Sequence, residues 1–379
     1  MKKKIAILGS TGSIGKTLLK IIKKDKKKFV IQLLSANKDY KNLLKQAKEF
    51  NVKNIVITNK KSFQIASDKL KYKTNQIKVH NNFDNLQKIF PKKIDYVMSS
   101  IVGLEGLIPT INIIKYTKKI AIANKESIIC GWNLIKKKLN KYNTEFIPVD
   151  SEHFSIWYAL KNMSYAKIDK IFLTASGGSL LKIPKSRIKK IKISKIIKHP
   201  NWNMGKKITV DSTTLMNKLF EIIEAKKIFN LNYNHLGIII HPKSYIHAIV
   251  KFSDGMIKII AHDTTMEIPI SNSLYYGFQK KEIKSNKINF YKLNNLNFDR
   301  VDKEKFPSIK ILNVLPSKDS LYETALVSAN DELVKLFLEK KINYTDINAN
   351  MIRILNSNDV KKFKKKPPTS VSEIINTSI

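Results

Sequence analysis

Residues 5–15 read IAILGSTGSIG, and this stretch decides the fold of the first part of the chain. Four apolar residues predict a buried strand, the glycines after them predict a tight turn, and Thr17–Lys23 has the pattern of a helix. Glycines at such a turn let the backbone approach a pyrophosphate, and the helix N-terminus adds N–H donors and a positive dipole. This order predicts a dinucleotide phosphate loop, although many strand-to-helix turns carry glycine without binding a nucleotide.

Alternating apolar and helix-like stretches continue outward from this turn. Further strands are expected at Phe29–Leu34, Asn54–Thr58, Tyr96–Ser99, Ile120–Ala123 and Phe146–Val149. The rhythm predicts an α/β fold, with a Rossmann-like, doubly wound parallel sheet over residues 1–149 that binds the nucleotide. Ligands of such sheets bind beyond the carboxyl ends of the strands, so polar residues there are candidate site residues.

The rest of the chain divides into further expected segments. Residues 150–290 mix strand and helix patterns, which predict an α+β catalytic domain with a lid loop at about 176–206. Its candidate role in metal and substrate binding rests on the polar residues that it contains. An irregular linker is expected at 291–306, a helical bundle at 307–366 and a loose tail at 367–379. Within the bundle, separate helices are expected at Ser320–Ala329 and Asp331–Lys340.

The chain of 379 residues has a formal net charge of +40. Such a charge invites a nucleic-acid interpretation, because clustered basic residues release counterions from phosphate backbones. Only Arg187, Arg300 and Arg353 are arginines, however, and the lysines are spread from end to end. Lysine lacks the bidentate fork favoured in base and phosphate recognition, so we expect a solvated lysine surface and no specific nucleic-acid partner.

Cysteine content and hydropathy limit the environment of the protein. A lone Cys130 excludes an internal disulfide framework and a cysteine-based zinc site, so any metal must be held mainly by oxygen or imidazole. No apolar stretch approaches the ~18 residues that span a bilayer, and the lysine-rich start reaches glycine too soon for a signal peptide. We therefore expect a cytoplasmic protein with no membrane association.

The residues after the second expected strand bear on the choice of nucleotide. Asn37 and Lys38 stand near the position where NAD enzymes place a carboxylate for the ribose. Lys38 could meet a 2′-phosphate, which favours NADPH, while the nearby Asp39 keeps NADH open.

Asp150 and Glu152 form a second group of candidate site residues. At an extended strand end, positions i and i+2 face the same way, so both carboxylates could bind one hard cation. Alternatively, Asp150 and Ser151 cap a helix, and Glu152 favours its dipole. The tripeptide alone leaves both interpretations open.

A third group lies in residues 210–221, VDSTTLMNKLFE. Asp211 or Ser212 is expected to cap a helix on which Asn217 and Glu221 are neighbours one turn apart. Such a helix could present Ser212, Asn217 and Lys218 to a phosphate beside the Glu221 carboxylate. An ordinary amphipathic helix with a polar face explains the same pattern.

Two loops add weaker signals. The small-residue turn at 175–179 suits anion binding through backbone N–H groups and serine hydroxyls, although a plain turn is equally compatible. Residues 199–205, HPNWNMG, place aromatic and thioether side chains between proline and glycine, a composition that suits a lid. His153, His241 and His247 are weaker candidates for contacts behind the site residues.

Eight motifs occur in order between Met1 and about Asn356: GSTGSIG, IVGLEGLIPT, ANKES, PVDSEH, ASGG, HPNWNMG, VDSTTLMNK and HPKSYIHAIV. In this combination the chain resembles the 1-deoxy-D-xylulose 5-phosphate reductoisomerase family. The resemblance implies a homodimeric, NADPH-dependent enzyme of the non-mevalonate isoprenoid route that requires Mg²⁺ or Mn²⁺. Such an enzyme isomerises and reduces its phosphorylated sugar substrate to 2-C-methyl-D-erythritol 4-phosphate.

The resemblance also implies roles for individual residues. Contacts to NADPH are implied for Thr11, Gly12, Ser13, Ile14, Asn37, Lys38, Asp39, Asn124, Glu126 and Gly205. The implied metal ligands are Asp150, Glu152 and Glu221, which together with Lys125 form the implied catalytic set. Substrate contacts are implied for Lys125, Ser151, Glu152, Ser176, His199, Ser212, Asn217, Lys218 and Glu221, with Ser176, Ser212, Asn217 and Lys218 at the phosphate. Trp202 and Met204 are implied to form a flap over bound ligand.

The chain departs from the family pattern at several positions. Asn37, Ser179, Leu219 and Glu267 differ from the residues usual there, and none of these changes removes an implied metal ligand. A semialdehyde dehydrogenase, which has a similar nucleotide turn, is a weaker alternative, because that chemistry needs a nucleophilic thiol and Cys130 lacks a convincing motif for one.

Overall fold

The computed structural model describes residues 2–71, 77–161, 163, 167–188, 191–202, 204–277 and 287–378. The chain divides into two compact units. Within the described residues, no helix combines the length and the apolar character needed to cross a membrane.

A parallel sheet forms the centre of the first unit. Its strands in the described part of the chain are β1 (Lys3–Leu8), β2 (Phe29–Ala36), β3 (Asn54–Ile57), β4 (Lys78–His80), β5 (Tyr96–Ser99), β6 (Lys119–Ile122) and β7 (Glu145–Pro148). Their order across the sheet is β4-β3-β2-β1-β5-β6-β7. The chain adds strands on one side of β1 and then, from β5, on the other, which confirms the predicted doubly wound sheet. The loops after β1 and β5 therefore flank the point where ligands of this fold bind.

Helices connect these strands. They are α1 (Ser13–Lys24), α2 (Tyr40–Glu49), α3 (Lys60–Lys71), α4 (Leu86–Ile89), α5 (Leu107–Ile113) and α6 (Lys125–Lys141). On α1, Leu18, Leu19 and Ile22 are spaced to form one apolar face, and all three are buried. That face belongs to a core which includes Ile5 and Ile7 of β1.

A helix from much later in the chain, α12 (Glu267–Tyr275), also belongs to the first unit. Its Ile270 and Leu274 are buried in the same core, and Glu267 pairs with Lys20 of α1. The structure thus differs from the predicted division, which kept residues 150–290 in one domain. The physical reason is that the apolar face of α12 packs on α1.

The second unit contains a mixed sheet covered by two helices. Its described strands are β8 (Ile168–Ala175), β9 (Leu236–Ile240), β10 (Ile246–Phe252) and β11 (Ile257–Ala261), in the order β11-β10-β8-β9. Strands β8 and β9 are parallel, whereas β10 is antiparallel to both of its neighbours. Helices α7 (Ser151–Leu160) and α11 (Met216–Phe229) contribute Ile156 and Ile222 to a core with Ile171 and Val250.

The remaining helices of the second unit include α8 (Lys185–Ile188), α9 (Ile193–Ile196), α10 (Lys206–Thr214), α13 (Phe290–Asn294), a 3₁₀ helix (Pro307–Val314), α14 (Leu321–Leu338), α15 (Tyr344–Asn356), α16 (Asn358–Lys361) and α17 (Val371–Thr377). The expected helical character of the carboxyl-terminal region is confirmed. The expected irregular linker at 291–306 overlaps α13, so its first residues are helical.

Two expectations for the carboxyl-terminal region are wrong. The tail is helical through α17, because the Ser370 side chain accepts the Glu373 N–H at 3.2 Å as a cap and Ile374 is fully buried. One continuous helix, α14, replaces the two expected before and after Asn330. Asn330 and Asp331 have the composition of a helix start, but Asn330 is buried in mid-helix and its amide bonds to another helix.

Candidate active site

The turn after β1 is shaped by close backbone contacts. Gly9 has a φ of +83°, and a Cβ atom there would lie 2.7 Å from the Ser100 carbonyl oxygen. A Cβ at Gly15 would lie 2.6 Å from the Gly9 carbonyl oxygen, so only glycine lets α1 start this close to β1. Gly12 is the N-cap of α1 and has no side chain with which to cap the helix, which leaves first-turn N–H groups to a ligand.

Neutral side chains hold this turn in place, and none of them is among the predicted site residues. Ser10 is fully buried, and its hydroxyl donates to the Gln46 side chain at 2.7 Å. The Gln46 amide donates back to the Ser10 carbonyl at 3.0 Å, and the Ser35 hydroxyl accepts the Gly9 N–H at 2.9 Å. The partners are 26 and 36 residues apart, so no local pattern pointed to them.

The residues after β2 bear on whether NADPH or NADH is the preferred nucleotide. The Asp39 carboxylate caps α2, accepting the Asn42 backbone N–H at 3.2 Å and the Asn42 amide at 2.8 Å. Lys38 and Asn37 are exposed. Because Asp39 already accepts two hydrogen bonds while Lys38 extends into solvent, the local geometry favours a 2′-phosphate over a bare ribose hydroxyl.

Asn124 fixes the loop after β5. Its side-chain oxygen caps α6 by accepting the Ser127 N–H, and its amide donates to the carbonyls of Ile101 and, at 2.7 Å, Gly103. This buried amide is thus used within the protein, whereas Glu126, also buried, lies in the first turn of α6.

Three carboxylates converge as predicted. Asp150, Glu152 and Glu221 each offer an oxygen, and these oxygens lie within 4.8 Å of one another. Two ligands at 2.0–2.6 Å from one ion can be up to about 5 Å apart, so the spacing fits a hard divalent cation such as Mg²⁺ or Mn²⁺. Glu152 lies in the first turn of α7, which excludes the extended-strand interpretation of Asp150 and Glu152. The convergence arises instead because α11 brings Glu221 to the start of α7.

Two lysines contact these carboxylates. Lys218 is 4% exposed and donates to Glu152 at 2.7 Å and also to Glu221, while Lys125 donates to Asp150. Burial by itself lowers the pKa of Lys218, but Glu152 and Glu221 outweigh burial and raise it, so the ammonium stays charged. The resemblance implies a phosphate contact for Lys218, and in this structure Lys218 also offsets the repulsion between the carboxylates.

Hydrogen bonds from neighbouring side chains hold Glu152 and Glu221 in place. The Ser151 hydroxyl donates to Glu152, and Asn217 donates from its amide to Glu221. The fully buried His153 contacts the Glu221 carbonyl through Nε2 at 2.9 Å, which ties α7 to α11. Since a carbonyl can only accept, Nε2 carries the proton.

The expected cap of the phosphate-binding helix is wrong. Asp211 and Ser212 lie inside α10, and the chain breaks at Leu215, whose φ is +60°, before α11 begins at Met216. Ser212 therefore lies on one side of the break, and Asn217 and Lys218 on the other. A left-handed leucine is uncommon, so sequence propensity gives no sign of this break.

The small-residue turn after β8 packs directly on α10. A Cβ at Gly178, whose φ is +64°, would lie 2.6 Å from Thr213 Cα, so this close approach requires glycine. The Ser179 hydroxyl lies 3.3 Å from the Thr213 hydroxyl. These contacts place the turn that contains Ser176 beside the residue that follows Ser212.

His199 and Ser176 form a defined pair. Nδ1 of His199 accepts the backbone N–H groups of Asn201 and Trp202 at 3.1 and 2.9 Å, so the ring proton is on Nε2, 2.9 Å from the Ser176 hydroxyl. Burial, together with the positive charge of Lys218, lowers the pKa of His199 to about 4. His199 is therefore neutral at physiological pH.

The expected lid contains helices α8 and α9, and its residues 189, 190 and 203 lie outside the described part of the chain. Trp202 packs edge-on against His247, with ring centroids 6.1 Å apart, and His247 stacks on His262 at 3.6 Å. Burial lowers the pKa of His247 to about 3. The stack gives Trp202 a neutral aromatic support.

Comparisons with known proteins identify the family that this chain matches. Residues 5–131 match the family model for 1-deoxy-D-xylulose 5-phosphate reductoisomerase, residues 146–229 match the model for its C-terminal domain, and residues 263–378 match that for the DXP reductoisomerase C-terminal domain. A 1-deoxy-D-xylulose 5-phosphate reductoisomerase from Pelagibacter ubique is 58% identical over 99% of this chain and 96% of its own.

Solved structures also match along the length of the chain. A DOX-P reductoisomerase in complex with NADPH, fosmidomycin and magnesium superposes with a TM-score of 0.90 at 29% identity, covering 99% of this chain and 95% of its own. A 1-deoxy-D-xylulose 5-phosphate reductoisomerase from Zymomonas mobilis in complex with NADPH gives a TM-score of 0.87 at 27% identity, covering 100% and 96%.

Proposed function

This chain belongs to the 1-deoxy-D-xylulose 5-phosphate reductoisomerase family, and we propose that its buried carboxylates and the residues around the α10–α11 break carry out the family reaction. The enzyme converts 1-deoxy-D-xylulose 5-phosphate to 2-C-methyl-D-erythritol 4-phosphate with NADPH and a divalent cation, a step of isoprenoid precursor synthesis. The observation that carries the residue assignment is the convergence of three carboxylate oxygens within 4.8 Å.

Asp150, Glu152 and Glu221 hold the cation in this proposal. When bound, the cation supplies positive charge to the substrate ketone and its neighbouring hydroxyl, and NADPH supplies the hydride. The three side chains form an all-oxygen ligand set with a net negative charge, which suits Mg²⁺ or Mn²⁺ and can still accept substrate oxygens. Lys125, which contacts Asp150, and Ser151, which contacts Glu152, then orient the reacting end of the sugar.

Ser176, Ser212, Asn217 and Lys218 bind the substrate phosphate in this proposal. The Ser176 oxygen accepts from His199 Nε2 and from the Gly178 N–H at 3.1 Å, so its own proton is directed to another acceptor, for which a phosphate oxygen is suited. The N-terminus of α11 adds backbone N–H groups and a positive dipole beside Asn217 and Lys218. Anchoring at the phosphate supplies binding energy that orients the distant reacting carbons.

The turn from Thr11 to Ile14 binds the nucleotide pyrophosphate in this proposal, and Lys38 binds the 2′-phosphate. Further proposed contacts to NADPH are Asn37, Asp39, Asn124, Glu126 and Gly205. Trp202 and Met204 exclude water when substrate is bound.

We also infer a homodimer. Strand β11 lies at the edge of the described four-stranded sheet, and its Ile257 and Ile259 are 53% and 49% exposed. An apolar edge strand is suited to pairing with a second copy of the chain. Light scattering should give twice the 43.6 kDa chain mass for the wild type, and a shift of Ile259→Lys towards the monomer would support this surface.

A cytoplasmic location fits the single buried thiol, Cys130, because a reducing compartment keeps it unoxidised.

The activity is tested by following NADPH absorbance with 1-deoxy-D-xylulose 5-phosphate and Mg²⁺. The proposal predicts substrate-dependent NADPH oxidation, with 2-C-methyl-D-erythritol 4-phosphate as the product. Lys218→Ala should raise the KM for this substrate while leaving the KM for NADPH close to that of the wild type. An unchanged substrate KM would overturn the phosphate assignment.

A further inference from the structure

The α10–α11 break sets the relative placement of the proposed phosphate ligands. Ser212 lies two residues before the end of α10, and Asn217 is the second residue of α11. Leu215 between them has a φ of +60°, a conformation that a residue with a branched side chain adopts only where its surroundings enforce it. Whatever stabilises this break therefore controls the distance between Ser212 and Lys218.

Three buried side chains from the carboxyl-terminal helices bond to the end of α10. The Tyr344 hydroxyl donates to the Thr213 carbonyl at 2.9 Å, and the Ser308 hydroxyl donates to the Thr214 carbonyl. The Asn330 amide donates to the Asp211 carboxylate at 2.8 Å. The last carbonyls of a helix lack partners within it, so these hydroxyls satisfy groups that would otherwise be buried without a donor.

We propose that Ser308, Asn330 and Tyr344 are positioning residues for phosphate binding, which rests on the proposed function of Ser212, Asn217 and Lys218. Their bonds end within two residues of Ser212, although the partners are 94 to 131 residues apart in sequence. The carboxyl-terminal helices thus hold α10 in the orientation that the substrate needs. Small misplacements of binding groups reduce rates strongly, so loss of one bond should be visible in kinetics.

Tyr322 of α14 offers a matched control. It is also buried, and its hydroxyl donates to the Leu355 carbonyl at 3.2 Å, near the end of α15. Tyr322→Phe and Tyr344→Phe therefore remove the same chemical group from the same helical region. Of these two hydroxyls, only that of Tyr344 bonds to α10.

The experiment compares the KM for 1-deoxy-D-xylulose 5-phosphate, the KM for NADPH and the melting temperature of both variants. We expect Tyr344→Phe to raise the substrate KM about fivefold or more, with the NADPH KM within about twofold of wild type. Tyr322→Phe should lower the melting temperature by a similar amount without changing the substrate KM. Ser308→Ala should act like Tyr344→Phe and serves as a second variant if the latter folds poorly.

Equal effects of Tyr322→Phe and Tyr344→Phe on the substrate KM, or no effect of Tyr344→Phe and Ser308→Ala, would overturn the inference. Lys218→Ala in the same series separates this failure from that of the proposed function. If Lys218→Ala raises the substrate KM and Tyr344→Phe does not, only the positioning role fails. If Lys218→Ala leaves it unchanged, the phosphate assignment itself is wrong.

Discussion

The nucleotide turn after β1 and the carboxylate cluster, which consists of Asp150, Glu152 and Glu221, are stabilised by different interactions. Close backbone packing at Gly9 and Gly15 shapes the turn, and the neutral side chains of Ser10 and Gln46 hold it. The cluster instead brings ionised side chains together, with Lys218 almost fully buried among them.

The difference shows which property each site depends on. The turn depends on steric space, so adding a single methyl group should damage it while changes of charge elsewhere should not. The cluster depends on charge balance in a buried environment, where electrostatic interactions are strong and each charge affects its neighbours. Substitutions that change sterics or charge alone can therefore separate the two sites.

The largest effect is expected for Glu221→Gln, which keeps the shape and removes one charge. We expect kcat to fall on the order of 10³-fold and the affinity for Mn²⁺ to fall ~10-fold or more, because one of three anionic ligands is lost. NADPH affinity should stay within about twofold of wild type. Steady-state kinetics, electron paramagnetic resonance of Mn²⁺ and NADPH fluorescence measure the three quantities.

Glu224→Gln is the control for this substitution. Glu224 lies three residues further along α11 and, like Glu221, is 1% exposed, but it is outside the carboxylate cluster. It should retain Mn²⁺ affinity. An equal loss of Mn²⁺ affinity in both variants would mean that buried charge on α11, and not ligation, explains the result.

Gly9→Ala should have the next largest effect and should damage the other site. Its Cβ would meet the Ser100 carbonyl at 2.7 Å, and its φ of +83° adds ~1–2 kcal/mol of backbone strain. We expect the Kd for NADPH to rise ~10-fold or more, with Mn²⁺ affinity unchanged.

Gly255→Ala, which lies outside the nucleotide turn, is a control for backbone strain without a steric collision. Gly255 has a similar φ of +87°, but a Cβ atom there would point into open space, with no described residue beyond its chain neighbours within 4 Å. NADPH titrations of both variants should show a loss only for Gly9→Ala. Normal NADPH binding by Gly9→Ala would disprove the steric account of the turn.

Lys38→Ala should have the smallest effect. An exposed ion pair contributes about 1 kcal/mol or less, so the preference for NADPH over NADH should fall about fivefold. Lys45→Ala removes the same charge from an exposed position on α2 and should leave the preference unchanged. The preference is measured as the ratio of kcat/KM for NADPH to kcat/KM for NADH. An equal change of this ratio in both variants would contradict a specific role of Lys38.

The same contrast explains how much the sequence could predict. The turn is local, so the strand, glycines and helix of residues 5–15 predicted its conformation correctly. The three carboxylates were also identified, and they do converge. What the sequence could not predict are contacts between distant residues, such as those of Gln46 with Ser10 and of Lys218 with Glu152.

The errors have the same origin. Asp211 and Ser212 have the composition of a helix cap, yet they lie in α10, because Ser308 and Tyr344 satisfy its last carbonyls and the break falls at Leu215. Asn330 likewise has the composition of a helix start, but its bond to Asp211 keeps it inside α14. In both places tertiary hydrogen bonds override local preference.

The central claim is that the reaction depends on a divalent cation held by Asp150, Glu152 and Glu221. The most direct test follows NADPH oxidation with 1-deoxy-D-xylulose 5-phosphate, first in excess chelator and then after Mg²⁺ or Mn²⁺ is added back in excess over the chelator. The account predicts that turnover stops in chelator and returns with the cation in the wild type but not in Glu221→Gln, while both bind NADPH. Full activity of the wild type in excess chelator would contradict it.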